Sequence, residues 1–70
     1  MSRRLPAPWT VRQAGESYQV FDAHGQVLCY LYFEDEETRR SCMGRLTSDE
    51  ARRLAVNIAK LPDLLAKAGA

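Results

Sequence analysis

The side chains with the widest chemical range in this 70-residue chain are one histidine and two cysteines. His24 lies two positions after Asp22 in a stretch of turn residues, where a lone histidine is ordinarily solvent-exposed. Cys29 and Cys42 have no C-x-x-C spacing, and with one histidine they fall short of the four ligands of a structural zinc site. We therefore predict a non-enzymatic protein with no catalytic residue, no metal and no cofactor, in which Cys29 is a packing residue of a strand.

Charged side chains are grouped along the chain, although the net charge is only +1. The acidic run at 34–37 lacks the spacing of a calcium-binding loop and predicts a solvated turn that leads into a helix. The candidate phosphate contacts are the arginines that follow this run: Arg39, Arg40, Arg45, Arg52 and Arg53. A strong phosphate binder shows a basic excess, so a salt-bridged surface is the preferred interpretation and a nucleic-acid-binding accessory protein is the alternative.

Alternating side chains predict three β-strands, near 9–13, 17–22 and 26–33. A two-residue turn at Ala14-Gly15 would join the first pair of strands. A loop that begins at Asp22 and ends at Gly25, with positive φ at the glycine, would join the second pair. Short connections of this kind predict an antiparallel meander.

The two turns together predict which residues share a face of the sheet, because side chains alternate with a period of two. The predicted core face holds Trp9, Val11, Tyr18, Val20, Leu28, Tyr30 and Tyr32. The second face holds Thr10, Arg12, Gln19, Phe21, Val27, Cys29, Leu31 and Phe33. Its apolar members are too numerous to leave in water, so the candidate interaction face is Phe21, Val27, Leu31 and Phe33.

Residues 48–61 predict an amphipathic helix with both ends marked. Thr47 and Glu50 form the pattern of a capping box, and Pro62 predicts a stop or a kink. The apolar stripe of this helix is Ala51, Leu54, Ala55, Ile58 and Leu61. The predicted fold class is therefore α+β: a three-stranded antiparallel meander with one C-terminal amphipathic helix packed on one face.

The remaining segments predict the domain organisation. Residues 1–8, which contain two prolines, predict a flexible arm; residues 9–65 form one small domain, and 66–70 a frayed tail. Within 34–46, Asp35 is a candidate cap for a short helical turn over 39–43 that ends at Gly44. Alternatively this segment folds back as a lid, with Met43 and Leu46 covering the second face of the sheet.

The pattern of apolar residues also bears on setting and function. No apolar run approaches the length of a membrane span, and no apolar export segment follows the first residues, so we expect a cytoplasmic protein with reduced thiols. The near-neutral charge argues against nucleic acid as a partner. The predicted function is a protein-interaction or self-association module, whose partner is an unidentified protein or a second copy of the chain.

Several strings resemble a group of short, uncharacterised bacterial proteins common in alpha-proteobacteria. The matching features are Pro8-Trp9, the turn from Asp22 to Gly25, the strand that ends in Tyr30-x-Tyr32, and the helix from Asp49-Glu50-Ala51-Arg52-Arg53 to Asn57-Ile58-Ala59-Lys60-Leu61-Pro62. The resemblance covers residues 8–65 and implies a bacterial cytoplasmic setting. It implies no activity and no site residues.

Overall fold

A computed structural model describes residues 5–68 of the chain. The elements are β1 (Thr10–Ala14), β2 (Ser17–Phe21), β3 (Val27–Tyr32), α1 (Glu37–Met43), α2 (Ser48–Ala59) and α3 (Leu61–Ala68). The strands form one antiparallel sheet in the order β1-β2-β3, which confirms the predicted meander. The fold is α+β, with a bent C-terminal helix built from α2 and α3.

The first turn lies one residue later than predicted. Ala14 pairs with Ser17, so the two turn residues are Gly15 and Glu16, not Ala14 and Gly15. Gly15 has φ +58°, which glycine adopts at little cost at the first central position of a type II′ hairpin turn. The pairing of β1 with β2 therefore shifts by two residues, and a shift of two leaves every side chain on its predicted face.

The pairing of β2 with β3 differs from the prediction by one residue over most of its length. Val20 pairs with Cys29 and Phe21 with Val27, so a bulge interrupts the ladder at this point. The turn before it has the predicted positive φ, +85° at Gly25. A shift of one residue moves every side chain of a strand to the opposite face. Tyr30 and Tyr32, which were predicted to face the core, therefore lie on the other face of the sheet.

The corrected faces follow from this register. Val20 shares its face with Val11, Gln13, Tyr18, Cys29 and Leu31. The opposite face carries Thr10, Arg12, Ala14, Ser17, Gln19, Phe21, Val27, Tyr30 and Tyr32.

The segment 34–46 contains a helix longer than the predicted turn. The N-cap of α1 is Glu36, whose carboxylate accepts from the backbone N–H groups of Thr38 and Arg39, so Asp35 is not its cap. The helix ends at Gly44, as predicted, and this glycine adopts a left-handed conformation. After it, the chain returns to the sheet, where Leu46 forms a single parallel bridge with Phe33.

The helix α2 begins as predicted and ends two residues earlier. Both bonds of the capping box are present: the Glu50 N–H donates to Thr47 Oγ1 at 3.1 Å, and the Thr47 N–H donates to the Glu50 carboxylate at 2.9 Å. Pro62 bends the chain without ending helical structure. A proline lacks only an N–H that the first turn of a helix leaves unpaired, so α3 begins at Leu61 and continues to Ala68.

The fully buried apolar residues within 5–68 are few: Val20, Ala51 and Ala55. The small side chains at 51 and 55 let α2 approach the sheet, and α2 contacts all three strands. The described part of the predicted arm also contacts the domain, because Ala23 N–H donates to the Pro6 carbonyl at 2.9 Å. Residues 1–4 of that arm and residues 69–70 of the predicted tail lie outside the described residues.

Candidate interaction surfaces

The structure divides the predicted interaction face between the two sides of the sheet. Phe21 and Val27 pair with each other on the side opposite Val20. Leu31 pairs with Tyr18 on the Val20 side, and the ring of Phe33 lies 5.5 Å from the ring of Tyr18. The bulge therefore separates these four residues.

Two exposed tyrosines replace that predicted face. Tyr30 and Tyr32 are each 52% exposed, and their rings lie nearly parallel, with 14° between planes and 6.1 Å between centroids. The Arg12 guanidinium lies over the Phe21 ring at 5.0 Å, and the Arg45 guanidinium lies over the Tyr32 ring at 5.3 Å. We call Arg12, Phe21, Tyr30, Tyr32 and Arg45 the tyrosine face. Sequence reasoning found the Tyr-x-Tyr spacing but assigned it to the core.

A second apolar surface follows the bent helix. Four leucines are strongly exposed: Leu54 at 45%, Leu61 at 39%, Leu64 at 54% and Leu65 at 63%. We call these residues the leucine stripe. Spacings of three and four place Leu61, Leu64 and Leu65 near one side of α3, and Leu54 lies on α2 before the break at Lys60. The sequence-based prediction placed Leu54 and Leu61 on the apolar stripe that packs on the sheet, whereas the structure leaves both exposed. It also ended the helix at Leu61, so it did not join Leu64 and Leu65 to the same surface.

The five predicted phosphate-contacting arginines are engaged with oxygens of this chain. Arg45 bonds the Glu16 carboxylate at 3.0 Å, and Arg40 lies 3.4 Å and 3.3 Å from the carbonyls of Glu34 and Asp35. The other ion pairs are Arg39–Glu34 at 4.0 Å, Arg52–Asp49 at 3.2 Å and Arg53–Asp49 at 2.8 Å. These contacts fit a salt-bridged surface, in which each exposed pair contributes about 0–1 kcal/mol.

Two carboxylates, Asp35 in the acidic run and Glu50 in α2, accept hydrogen bonds from the backbone at the start of α2. The Ser48 N–H donates to the Asp35 carboxylate at 2.8 Å, and this bond lowers the pKa of Asp35. The bond from the Thr47 N–H likewise lowers the pKa of Glu50. Asp35 and Glu50 therefore stabilise the start of α2 only in their ionised forms, and neither arrangement resembles a cation site.

The reactive side chains are distributed over separate elements. His24 is exposed in the β2–β3 turn, where its backbone N–H donates to Asp22 at 2.8 Å. Cys29 is half-buried on β3, and burial raises the pKa of its thiol, whereas Cys42 is exposed on α1. Among residues 5–68, no three His, Cys, Asp or Glu side chains are grouped closely enough to hold a metal ion.

A shallow cleft of about 370 Å³ separates the N-terminal segment from the end of α2. Its lining consists of Ala7, Pro8, Trp9, Ala59, Pro62 and Asp63. The indole N–H of Trp9 is already used, since it donates to the Leu5 carbonyl at 3.1 Å. The cleft therefore lies between Trp9 and the bend of the helix, and the indole N–H of Trp9 is not free to bind a ligand there.

Comparison of the chain with protein-family models, with curated proteins and with solved structures found no match. In the described part of the chain, no helix has both the length and the apolar composition needed to cross a bilayer.

Proposed function

We propose that this protein is a non-enzymatic interaction module that associates with a second copy of itself through the leucine stripe. The observation that carries the proposal is the exposure of Leu54, Leu61, Leu64 and Leu65 on one bent helix. Single exposed leucines are ordinary, but a contiguous apolar surface on a small domain is characteristic of an interface.

We also propose that α2 covers the Val20 face of the sheet and leaves the tyrosine face open. The supports for this placement are the complete burial of Val20, Ala51 and Ala55 and the contact of α2 with every strand. The cleft formed by Trp9 with Ala59 fits the same placement. With α2 so placed, α3 extends beyond the sheet and its leucines remain available to a partner.

A second copy is the occupant that the charges favour. The stripe is accompanied by side chains of both signs, with Lys60 and Asp63 close to Leu61 in the sequence. A two-fold interface brings the same surface together twice, so a surface of one sign repels itself, whereas a mixed surface can pair.

The arginines give less support to the alternative function, a nucleic-acid accessory that uses Arg39, Arg40, Arg45, Arg52 and Arg53. Each of them contacts an oxygen of this chain, and the Glu34 and Asp49 carboxylates lie beside them. A phosphate bound there would have to compete with these acids.

A cytoplasmic setting without catalysis is part of the proposal. Cys29 on β3 and Cys42 on α1 are not joined to each other, and a reducing compartment would keep both as thiols. His24 contacts Asp22 through its backbone rather than through its ring. The resemblance to short bacterial proteins stays a prediction.

Molar mass in solution tests the proposal. We expect the measured mass to rise from 7.9 kDa toward about twice that value as concentration increases. Leu65→Lys should leave the fold intact, because Leu65 is 63% exposed, yet raise the dissociation constant roughly 100-fold or more, since the substitution enters a two-fold interface twice.

Met43→Lys is the matched control, because Met43 is a 53% exposed apolar residue on α1, outside the stripe. We expect it to dimerise like the wild type. A wild-type chain that stays monomeric at millimolar concentration contradicts the proposal. A Leu65→Lys variant that dimerises normally assigns association to another surface.

A further inference from the structure

We propose that the tyrosine face binds single-stranded nucleic acid, with unpaired bases stacking on Tyr30 and Tyr32. The two residues are separated by one position on β3, so their side chains emerge on the same side of the sheet. Each residue is about half exposed to solvent, and the rings lie nearly parallel. Exposed aromatic rings on an open sheet are the surface on which unpaired bases stack, with little dependence on sequence.

The bulge in the sheet creates this surface. In the register predicted from sequence, Leu31 and Phe33 would share a face with Phe21 and make that face too apolar for nucleic acid. The observed register replaces them with Tyr30 and Tyr32, whose rings combine an apolar surface with a hydroxyl group that stays in water.

Arginines provide the charge for the sugar–phosphate backbone. Arg12 on β1 lies over the Phe21 ring, and Arg45, before the Leu46 bridge, lies over the Tyr32 ring. A base that stacks on Tyr32 therefore displaces the Arg45 guanidinium from the ring toward the sugar–phosphate backbone. The strand residues on this face include no carboxylate: Thr10, Arg12, Ala14, Ser17, Gln19, Phe21, Val27, Tyr30 and Tyr32. The neighbouring acid is Glu16, whose 66% exposed side chain pairs with Arg45, so a phosphate competes with Glu16 for that guanidinium.

The geometry favours a single strand over other macromolecules. The bases of a duplex are stacked on one another and offer no free face to the tyrosines. A proline-rich peptide docks in a groove between aromatic rings and carries no backbone charge, whereas these rings are near-parallel and flanked by guanidinium groups. Three strands span about 10 Å, enough for two or three nucleotides, so we expect weak binding that strengthens on longer strands.

Fluorescence anisotropy with a labelled 12-nucleotide oligouridylate, an oligothymidylate and a duplex of equal length tests this inference. At low salt we expect both single strands to bind more tightly than the duplex. Tyr30→Ala should weaken binding by roughly 5- to 150-fold, the effect of losing one stacked base, whereas Tyr30→Phe should bind like the wild type because it keeps the ring. Arg12→Ala should reduce the slope of log affinity against log salt by about 0.7.

Met43→Ala is the control, because its side chain is exposed on α1 away from the face. Circular dichroism should give the same spectrum for every variant. If Tyr30→Ala unfolds, Arg12→Ala keeps the inference testable, because an unchanged salt slope in that variant would contradict the role of the tyrosine face. The inference is wrong if neither single strand binds at low salt, if the duplex binds equally well, or if Tyr30→Ala folds and binds normally. Tyrosine-dependent binding of a proline-rich peptide without binding of either single strand also overturns it.

Discussion

Replacing Ala55 by leucine tests the close approach of α2 to the sheet. Ala55 is fully buried, so the larger side chain has no room unless the helix moves. Overpacking of this kind costs about 1–3 kcal/mol. A chain of this length has a total unfolding free energy of roughly 3.5–10 kcal/mol, so the loss is a large fraction of the whole.

This cost corresponds to a 5- to 150-fold fall in the folded-to-unfolded ratio, and to a fall in melting temperature of about 4–8 °C per kcal/mol. Urea titration, followed by the fluorescence of the single tryptophan, Trp9, measures it. Ala66→Leu is the matched control: Ala66 is exposed on α3, and the two residues have similar helix propensity, so we expect almost no change.

Two outcomes would refute the reasoning. If Ala55→Leu is neutral or stabilising while the control is also neutral, position 55 has free volume and α2 does not pack closely there. If both substitutions destabilise the chain equally, the effect arises from the helix itself and not from its contact with the sheet.

Three further predictions concern the start of α2 and the thiols. Thr47→Ala should lower the unfolding free energy by about 0.5–2 kcal/mol in urea titration, because it removes one bond of the capping box, and an unchanged value would contradict that bond. Asp35 and Glu50 have lowered pKa values in the folded state, so their stabilisation is complete above the unfolded-state pKa and is lost as pH falls through the folded-state values. Thermal melts should therefore fall below about pH 4.5, and less steeply in an Asp35→Asn, Glu50→Gln double variant. Cys42 should react with a thiol reagent well before Cys29, whose thiol is half-buried with a raised pKa; equal rates in the folded chain would contradict its burial.

Short-range chemistry determined several elements that were predictable from the sequence. The capping box requires only Thr47 and Glu50 three positions apart, and the observed bonds are those expected. Gly25 and Gly44 adopt positive φ at the predicted turn and helix end because neighbouring residues define those sites. Alternation along each strand likewise predicted the antiparallel meander.

The tertiary structure alone decided which face β3 presents. Alternation shows that Leu31 and Tyr30 point to opposite sides, but not which of them points to the core. A bulge between Val20 and Phe21 settles that choice by a shift of one residue, and the energy of the shift depends on long-range packing rather than on local preference. Sequence reasoning therefore found the apolar and aromatic residues but assigned them to the wrong faces.

The bend at Pro62 is decided in the same way. The sequence determined that a proline cannot occupy the interior of a continuous helix, and a stop and a kink both satisfy that constraint. Only the folded chain shows that helix resumes at Leu61, with the Leu64 N–H bonded to the Lys60 carbonyl at 3.1 Å. The leucine stripe exists because of that continuation, since a side of a helix is defined only where the chain stays helical.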